Sequence, residues 1–348
     1  MKKLRVAQIG ALHEHSDGII RTLRNRLGDV FEIAGIAAEN PEAEETHRED
    51  ACYRGLPWMS PEDIFQLPAL DAVFVETEMR ELVPTARRCF EHNLPIHIDK
   101  PGGETLEPYA ALVRDFHARG LPFQTGYMLR WNHAVNFMKK AVSKGWLGQI
   151  FDVDADMHRS EGNAEFRKWF AEYSGGTMFN YGSHIIDVLV GLLGAPEKIV
   201  PFSRHVTGDA VSDTWVTVFV YPKTLATLRS STSHPAGIPN RGFTIRGTKG
   251  MIRIFPLEQG YDKRIGYPKF NDVPTHVHML ISQDNEAYAA GEYDVKLAPM
   301  PDRYEEQLRE FADLLRGGKA NPYTADYEIL VQKAILAASG YIQWETQA

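Results

Sequence analysis

Through its first 125 residues the chain alternates short apolar runs with longer amphipathic stretches, a rhythm that few folds accommodate. The runs at 5–9, 31–37, 72–76, 95–98 and 122–125 have the length of strands. Between them, 16–27, 61–66, 82–92 and 105–119 carry Leu, Val, Ala and Phe at three- and four-residue spacing, which predicts helices. Strand and helix in alternation predict βαβ units. Over 1–126 we therefore expect a Rossmann-type, doubly wound parallel sheet that binds a dinucleotide.

Beyond residue 126 the rhythm changes. A helix over 134–144 leads through Gly145 and Gly148 into an alternating strand at 150–157. Runs rich in Val, Thr and Phe at 214–221, 226–232, 243–246 and 251–254, with turns at Pro222-Lys223 and 247–250, predict consecutive antiparallel hairpins. The stretch 256–300 has little periodicity and reads as a long irregular excursion. Helices over 303–315 and 325–343 close the chain. A length of 348 residues exceeds what one hydrophobic core normally spans, so a second, α+β domain is expected over 127–348.

A formal net charge of −8 without basic clusters argues against a nucleic-acid partner or an anionic membrane and favours small-molecule chemistry. Cys52 and Cys89 form neither a disulfide framework nor a zinc-ligand spacing. The apolar run after Met1-Lys2-Lys3 is too short for a signal-peptide core, and 185–193, interrupted by Asp187, is far short of the ~20 residues that cross a bilayer. A cytoplasmic protein is expected.

Three places carry chemistry. First, Lys100 follows the apolar run Pro95-Ile96-His97-Ile98 and Asp99, at the carboxyl edge of the expected sheet, where open α/β folds bind ligands. Its alternative reading is a solvated turn lysine. Second, Gly10-Ala11-Leu12-His13-Glu14-His15 stands where a dinucleotide-binding glycine loop belongs, with Leu12 and His15 in the places of its second and third glycines. Backbone amides at the next helix start remain able to receive phosphate. Glu39, after the second strand, is placed to grip ribose hydroxyls or to cap a helix, and the lack of an arginine beside it favours NAD over NADP. His13 and His15 also have a metal-ligand spacing, but spacing identifies no third ligand, and no metal is expected. Third, Asn180, His184 and Asp187 follow the glycine pair Gly175-Gly176 at i, i+4, i+7, on one face of an otherwise apolar helix. His184 reads either as a satisfied core histidine or as an acid/base whose tautomer Asp187 fixes.

These residues together resemble the glucose-fructose oxidoreductase, inositol dehydrogenase and MocA family. Asp99-Lys100-Pro101 is similar to its Glu-Lys-Pro motif, 126–132 to its Gly-aromatic segment with arginine, Gly148-Gln149-Ile150 to the start of its second-domain sheet, and 175–187 to its glycine-led catalytic helix. The resemblance implies a large open, mostly antiparallel sheet in the second domain, an NAD-dependent transfer of hydride to or from a sugar, cyclitol or polyol, and a homodimer or homotetramer. It implies catalytic roles for Lys100, His184 and Asn180, cofactor contacts from Gly10, Leu12, His13, Glu39, Thr77, Asp99 and Lys100, and substrate contacts from Tyr127, Arg130, Asn180 and His184. The chain departs from the family where Asn180 replaces an aspartate, Glu78 a proline and Leu82 a histidine. Two other functions fit the same resemblance: glycoside cleavage or lyase chemistry through transient oxidation, and non-catalytic ligand binding.

Overall fold

The computed structural model describes residues 2–160, 163–258, 275–298, 300 and 302–345. Its contacts divide the chain into two units, Met1–Met128 with Asp302–Gln332, and Leu129–Pro301 with Lys333–Ala348.

In the first unit the expected alternation appears as β1 (Leu4–Ile9), α1 (Ser16–Asn25), β2 (Phe31–Ala37), α2 (Pro41–His47), α3 (Pro61–Gln66), β3 (Ala72–Val75), α4 (Leu82–Glu91), β4 (Ile96–Ile98), α5 (Leu106–Arg119) and β5 (Phe123–Thr125). All five strands run parallel in the order β2-β1-β3-β4-β5. Successive residues of a strand face opposite sides of the sheet. Leu4, Val6, Ala72 and Phe74 therefore enter one core, and Ala7, Ile9, Val73 and Val75 the other. Burial on both sides is why these strands read as near-continuous apolar runs. The helix α2 was not expected from periodicity; Asn40 caps it by accepting from the Ala43 amide at 2.8 Å, with Pro41 in the first turn.

The segment 302–332 differs from the expected boundary, which placed everything after 126 in the second domain. Its helix α9 (Glu305–Leu315) buries Leu308, Phe311, Ala312 and Leu314 in the core that contains Val6, Phe31 and Phe74, and the Phe311 and Phe74 rings stand 5.7 Å apart. Chain order does not reveal which core an amphipathic helix joins.

The second unit contains α6 (His133–Ser143), β6 (Ile150–Asp156), α7 (Ala164–Phe170), a π-helical turn (Met178–Gly182), α8 (Ser183–Leu193), β7 (Lys198–Arg204), β8 (Thr214–Val220), β9 (Leu225–Ser231), β10 (Gly242–Gly247), β11 (Gly250–Ile254), β12 (Val277–Ile281) and β13 (Gly291–Val295). Among the described residues its eight strands form one sheet, β13-β12-β11-β10-β6-β9-β8-β7, antiparallel except where β6 and β9 pair in parallel. The last helix, α10 (Ala325–Ala338), passes from one unit to the other at Gln332 and Lys333.

Two strands, β12 and β13, overturn part of the expected irregular excursion at 256–300; residues 259–274 of it lie outside the described residues. β12 does alternate, with Val277, Met279 and Ile281 buried, but over only five residues between polar neighbours. β13 has no apolar period, because as an edge strand it buries little and is held by pairing with β12. Among the described residues no helix is long and apolar enough to cross a membrane.

Candidate active site

In the first unit the order of the strands reverses between β1 and β3, and ligands of such sheets bind beyond the carboxyl ends of the strands at that point. The ladder runs one residue past each strand: Glu76 N donates to Ile9 O at 2.8 Å and Asp99 N to Val75 O at 3.1 Å. Gly10, Glu76 and Asp99 therefore leave the sheet along one edge.

Gly10 has φ +106°, and a Cβ there would lie 2.2 Å from the backbone nitrogen of Thr77, so only glycine lets the first loop pass the end of β3. Beyond it, the amides of Ala11 and Leu12 donate to the Glu39 carboxylate at 3.0 and 3.2 Å, and the Glu78 amide joins them at 3.2 Å. The loop amides thus already converge on an anionic group. Leu12, in the place of the second glycine, turns outward and is 45% exposed, so its bulk does not fill the loop. The loop amides are backbone donors of the kind that receive a phosphate, here taken up by the Glu39 carboxylate. Thr77 is buried beside Gly10.

Lys100 is completely buried, and its Nζ stands 3.5 Å from Glu14 Oε1. This excludes the solvated-turn reading. Preceding it, Asp99 accepts the Lys100 amide on Oδ1 at 2.6 Å and presents Oδ2 to His15 Nδ1 at 2.9 Å and His13 Nδ1 at 3.0 Å. The Lys100 carbonyl in turn accepts from His13 Nε2 at 3.1 Å. Burial alone would raise the Asp99 carboxyl, but the two histidines hold it well below its usual range. Its neighbour Glu76 is driven the other way, first by burial and then by the negative Asp99. Burial lowers His15 against the pull of Asp99, and brings His97, 3.4 Å from Glu76, down to about 4. The loop after Lys100 is pinned by Gln332, which accepts the Gly102 amide at 3.0 Å and donates to Gly103 O at 2.7 Å.

Sequence reasoning passed over Glu14, Glu76, His97 and Gln332. The signal for two of them was present: Glu76 ends an apolar run, and His97 sits between two isoleucines of a buried strand. Tyr127 also belongs to this unit and is buried.

In the second unit, Gly176 with φ +46° brings its backbone against Ser212, where a Cβ would meet the carbonyl oxygen at 2.0 Å. Thr177 Oγ1 then bonds Ser230 Oγ on β9 at 2.7 Å. The expected continuous helix is interrupted here by the π turn Met178–Gly182, which contains Asn180 and precedes α8, so the i, i+4 register from Asn180 to His184 is not that of an α-helix. Asn180, His184 and Asp187 are all buried. Asp187 is paired with Arg130: its Oδ1 accepts from Arg130 Nη2 at 2.7 Å and Nε at 3.0 Å, a fully buried ion pair. The pair ties the segment before α6 to α8 and commits the Arg130 guanidinium to a protein partner.

A family profile described as the GFO/IDH/MocA C-terminal domain matches residues 135–253. The chain is 26% identical over 290 residues to scyllo-inositol 2-dehydrogenase (NADP(+)) of Bacillus subtilis, covering 80% of this chain and 78% of that one. It is 24% identical to 2,7-anhydro-N-acetylneuraminate hydratase of Escherichia coli, covering 58% of each. The solved structure of an oxidoreductase from Agrobacterium radiobacter in complex with NAD+, L-tartaric acid and magnesium superposes with a TM-score of 0.77 at 15% identity, covering 98% of this chain and 96% of that one. Its parallel first sheet and open second sheet are the fold of that solved structure, and over residues 135–253 the chain is similar to the C-terminal domain of the glucose-fructose oxidoreductase, inositol dehydrogenase and MocA family.

Proposed function

We propose that the protein is a nicotinamide-dependent oxidoreductase that moves hydride to or from a hydroxyl-bearing carbon of a sugar, cyclitol or related polyol. The observation that carries this reading is Lys100, a completely buried lysine at the carboxyl edge of the parallel sheet, on the same edge as loop amides that already hold an anion. A lysine kept out of water contributes little to packing that an apolar residue would not do better, whereas its charge favours a developing alkoxide.

Gly10, Leu12, His13, Glu39, Thr77, Asp99 and Lys100 are the residues assigned to the cofactor, which when bound supplies the hydride chemistry. A carboxylate at Glu39 suits ribose hydroxyls and repels a 2′-phosphate, which supports NAD over NADP. Lys100 polarises the reacting oxygen, His184 carries the proton, and Asn180 orients the hydroxyl by hydrogen bonding. Tyr127 and Arg130 are assigned to the substrate side, Arg130 acting through its pair with Asp187. Phe151 on β6, Phe202 on β7 and Leu225 on β9 are exposed apolar residues on the strands of the open sheet, which supports a homodimer or homotetramer.

The likeness to a hydratase supports a second reading, in which the same residues oxidise the substrate transiently and the cofactor returns to its starting state. Anaerobic mixing of protein, NAD+ and a panel of polyols, sugars and glycosides separates the two. Reduced nicotinamide accumulates for a dehydrogenase; turnover of a substrate without accumulation assigns the redox-neutral reaction instead.

A further inference from the structure

We propose that His13, His15 and Asp99 form a binding site for a divalent transition-metal cation of the zinc class. The three residues are buried, and one ligand atom from each lies within 4.8 Å of the other two. The loop after β1 supplies both histidines and the residue after β4 supplies the carboxylate, so the site is built entirely within the first unit.

The hydrogen-bond geometry around His13 points to a cation. Its Nε2 stands 3.1 Å from the Lys100 carbonyl oxygen, which only accepts, so Nε2 carries the hydrogen. The His15 backbone N–H lies 3.3 Å from Nδ1. That same Nδ1 faces Asp99 Oδ2 at 3.0 Å, and His15 Nδ1 faces Oδ2 at 2.9 Å. One carboxylate oxygen shared by two imidazole nitrogens in a buried place calls for positive charge among them, and a divalent cation supplies it.

The surroundings are those of a metal site. A ligating imidazole normally donates its other nitrogen to a carbonyl or carboxylate, which fixes its tautomer; the Lys100 carbonyl does this for His13. The Lys100 amide on Oδ1 turns the other Asp99 oxygen toward the histidines. Two imidazole nitrogens and one carboxylate oxygen match the preference of Zn2+, and three protein ligands leave one position open, the pattern of sites that act on a bound molecule. Ligand atoms of a tetrahedral Zn2+ site lie ~3.4 Å apart, so the observed spacings need to open by only a few tenths of an ångström around Oδ2. The sequence hides this site because the third ligand lies 84 residues from the second.

The site shares His13 and Asp99 with the residues assigned above to the cofactor, so its test reads bound metal and not turnover. The purified full chain is stripped with a chelator and titrated with Zn2+ alone, then with Co2+ as a spectroscopic probe. The expected result is one equivalent of metal per chain by elemental mass spectrometry, visible absorption from the Co2+ form, and affinity lowered by at least about 100-fold in H13Q and in H15Q, more than the loss of a mere supporting partner costs. Circular dichroism establishes that the variants are folded; if either is not, the stoichiometry and the Co2+ spectrum of the unsubstituted protein decide. No uptake at micromolar metal overturns the proposal and leaves a proton in that place. Equal uptake by folded H13Q/H15Q overturns it too, since the metal then lies elsewhere.

Discussion

Lys100 is where burial and charge conflict most openly, and such conflicts are kept where chemistry uses them. Lys100→Met removes the charge and fits an apolar place, so we expect turnover to fall by about 10²–10³-fold or more while thermal unfolding stays unchanged or moves upward. Steady-state rates beside melting curves check both halves. His184→Asn is expected to reduce the rate by about 10²–10⁴-fold and to remove one limb of the pH–rate profile, because asparagine hydrogen-bonds but does not titrate. A slow variant with the original profile would assign the proton to another group. At this scale the sequence was legible wherever one residue broke a local pattern: a lysine ending a strand, a lone glycine after β1. Contacts between distant segments were not legible. The ion pair of Asp187 with Arg130, 57 residues away, leaves no trace in the local spacing around His184.

Among the elements, the loops of the second unit carry their own acid-sensitive anchor. Asp213, buried ahead of β8, accepts the Val206 and Thr207 amides at 3.0 and 3.2 Å, the Thr207 hydroxyl at 2.8 Å and Arg167 Nη2 at 3.3 Å. Burial would raise its carboxyl, but these donors hold it below the ordinary value. A carboxyl lowered in the folded state contributes stability that is complete above its unfolded pKa of about 3.9 and is lost as pH falls through the lower folded value. Denaturant unfolding across an acid pH series should therefore show a loss of stability below about pH 4 that Asp213→Asn flattens, with the variant about 1–3 kcal/mol weaker at neutral pH. Unchanged pH dependence in the variant would remove Asp213 from this role. The strands and helices of the first unit were legible within about two residues because burial on both sheet faces writes an uninterrupted apolar code. By contrast α2, held by its Asn40 cap, and β13, held by its neighbour, owe their form to contacts that periodicity does not record.

For the whole molecule, the sequence order of the two units is not their composition, since the chain returns to the first core after completing the second sheet. Phe311→Ala, although nearly two hundred residues beyond β5, is thus expected to destabilise the first unit by about 3–5 kcal/mol, with hydrogen exchange accelerating in β1 and β3. Exchange accelerating only in the second sheet would contradict that assignment. The account rests on the carboxyl edge of the parallel sheet, where Gly10, Glu39 and Lys100 stand, being built around a nicotinamide dinucleotide. Native mass spectrometry of the purified protein, before and after incubation with millimolar NAD+ or NADP+, tests this most directly. We expect one dinucleotide per chain, either already bound or taken up, with NAD+ preferred. A chain that carries none and takes up neither at millimolar concentration would contradict the account.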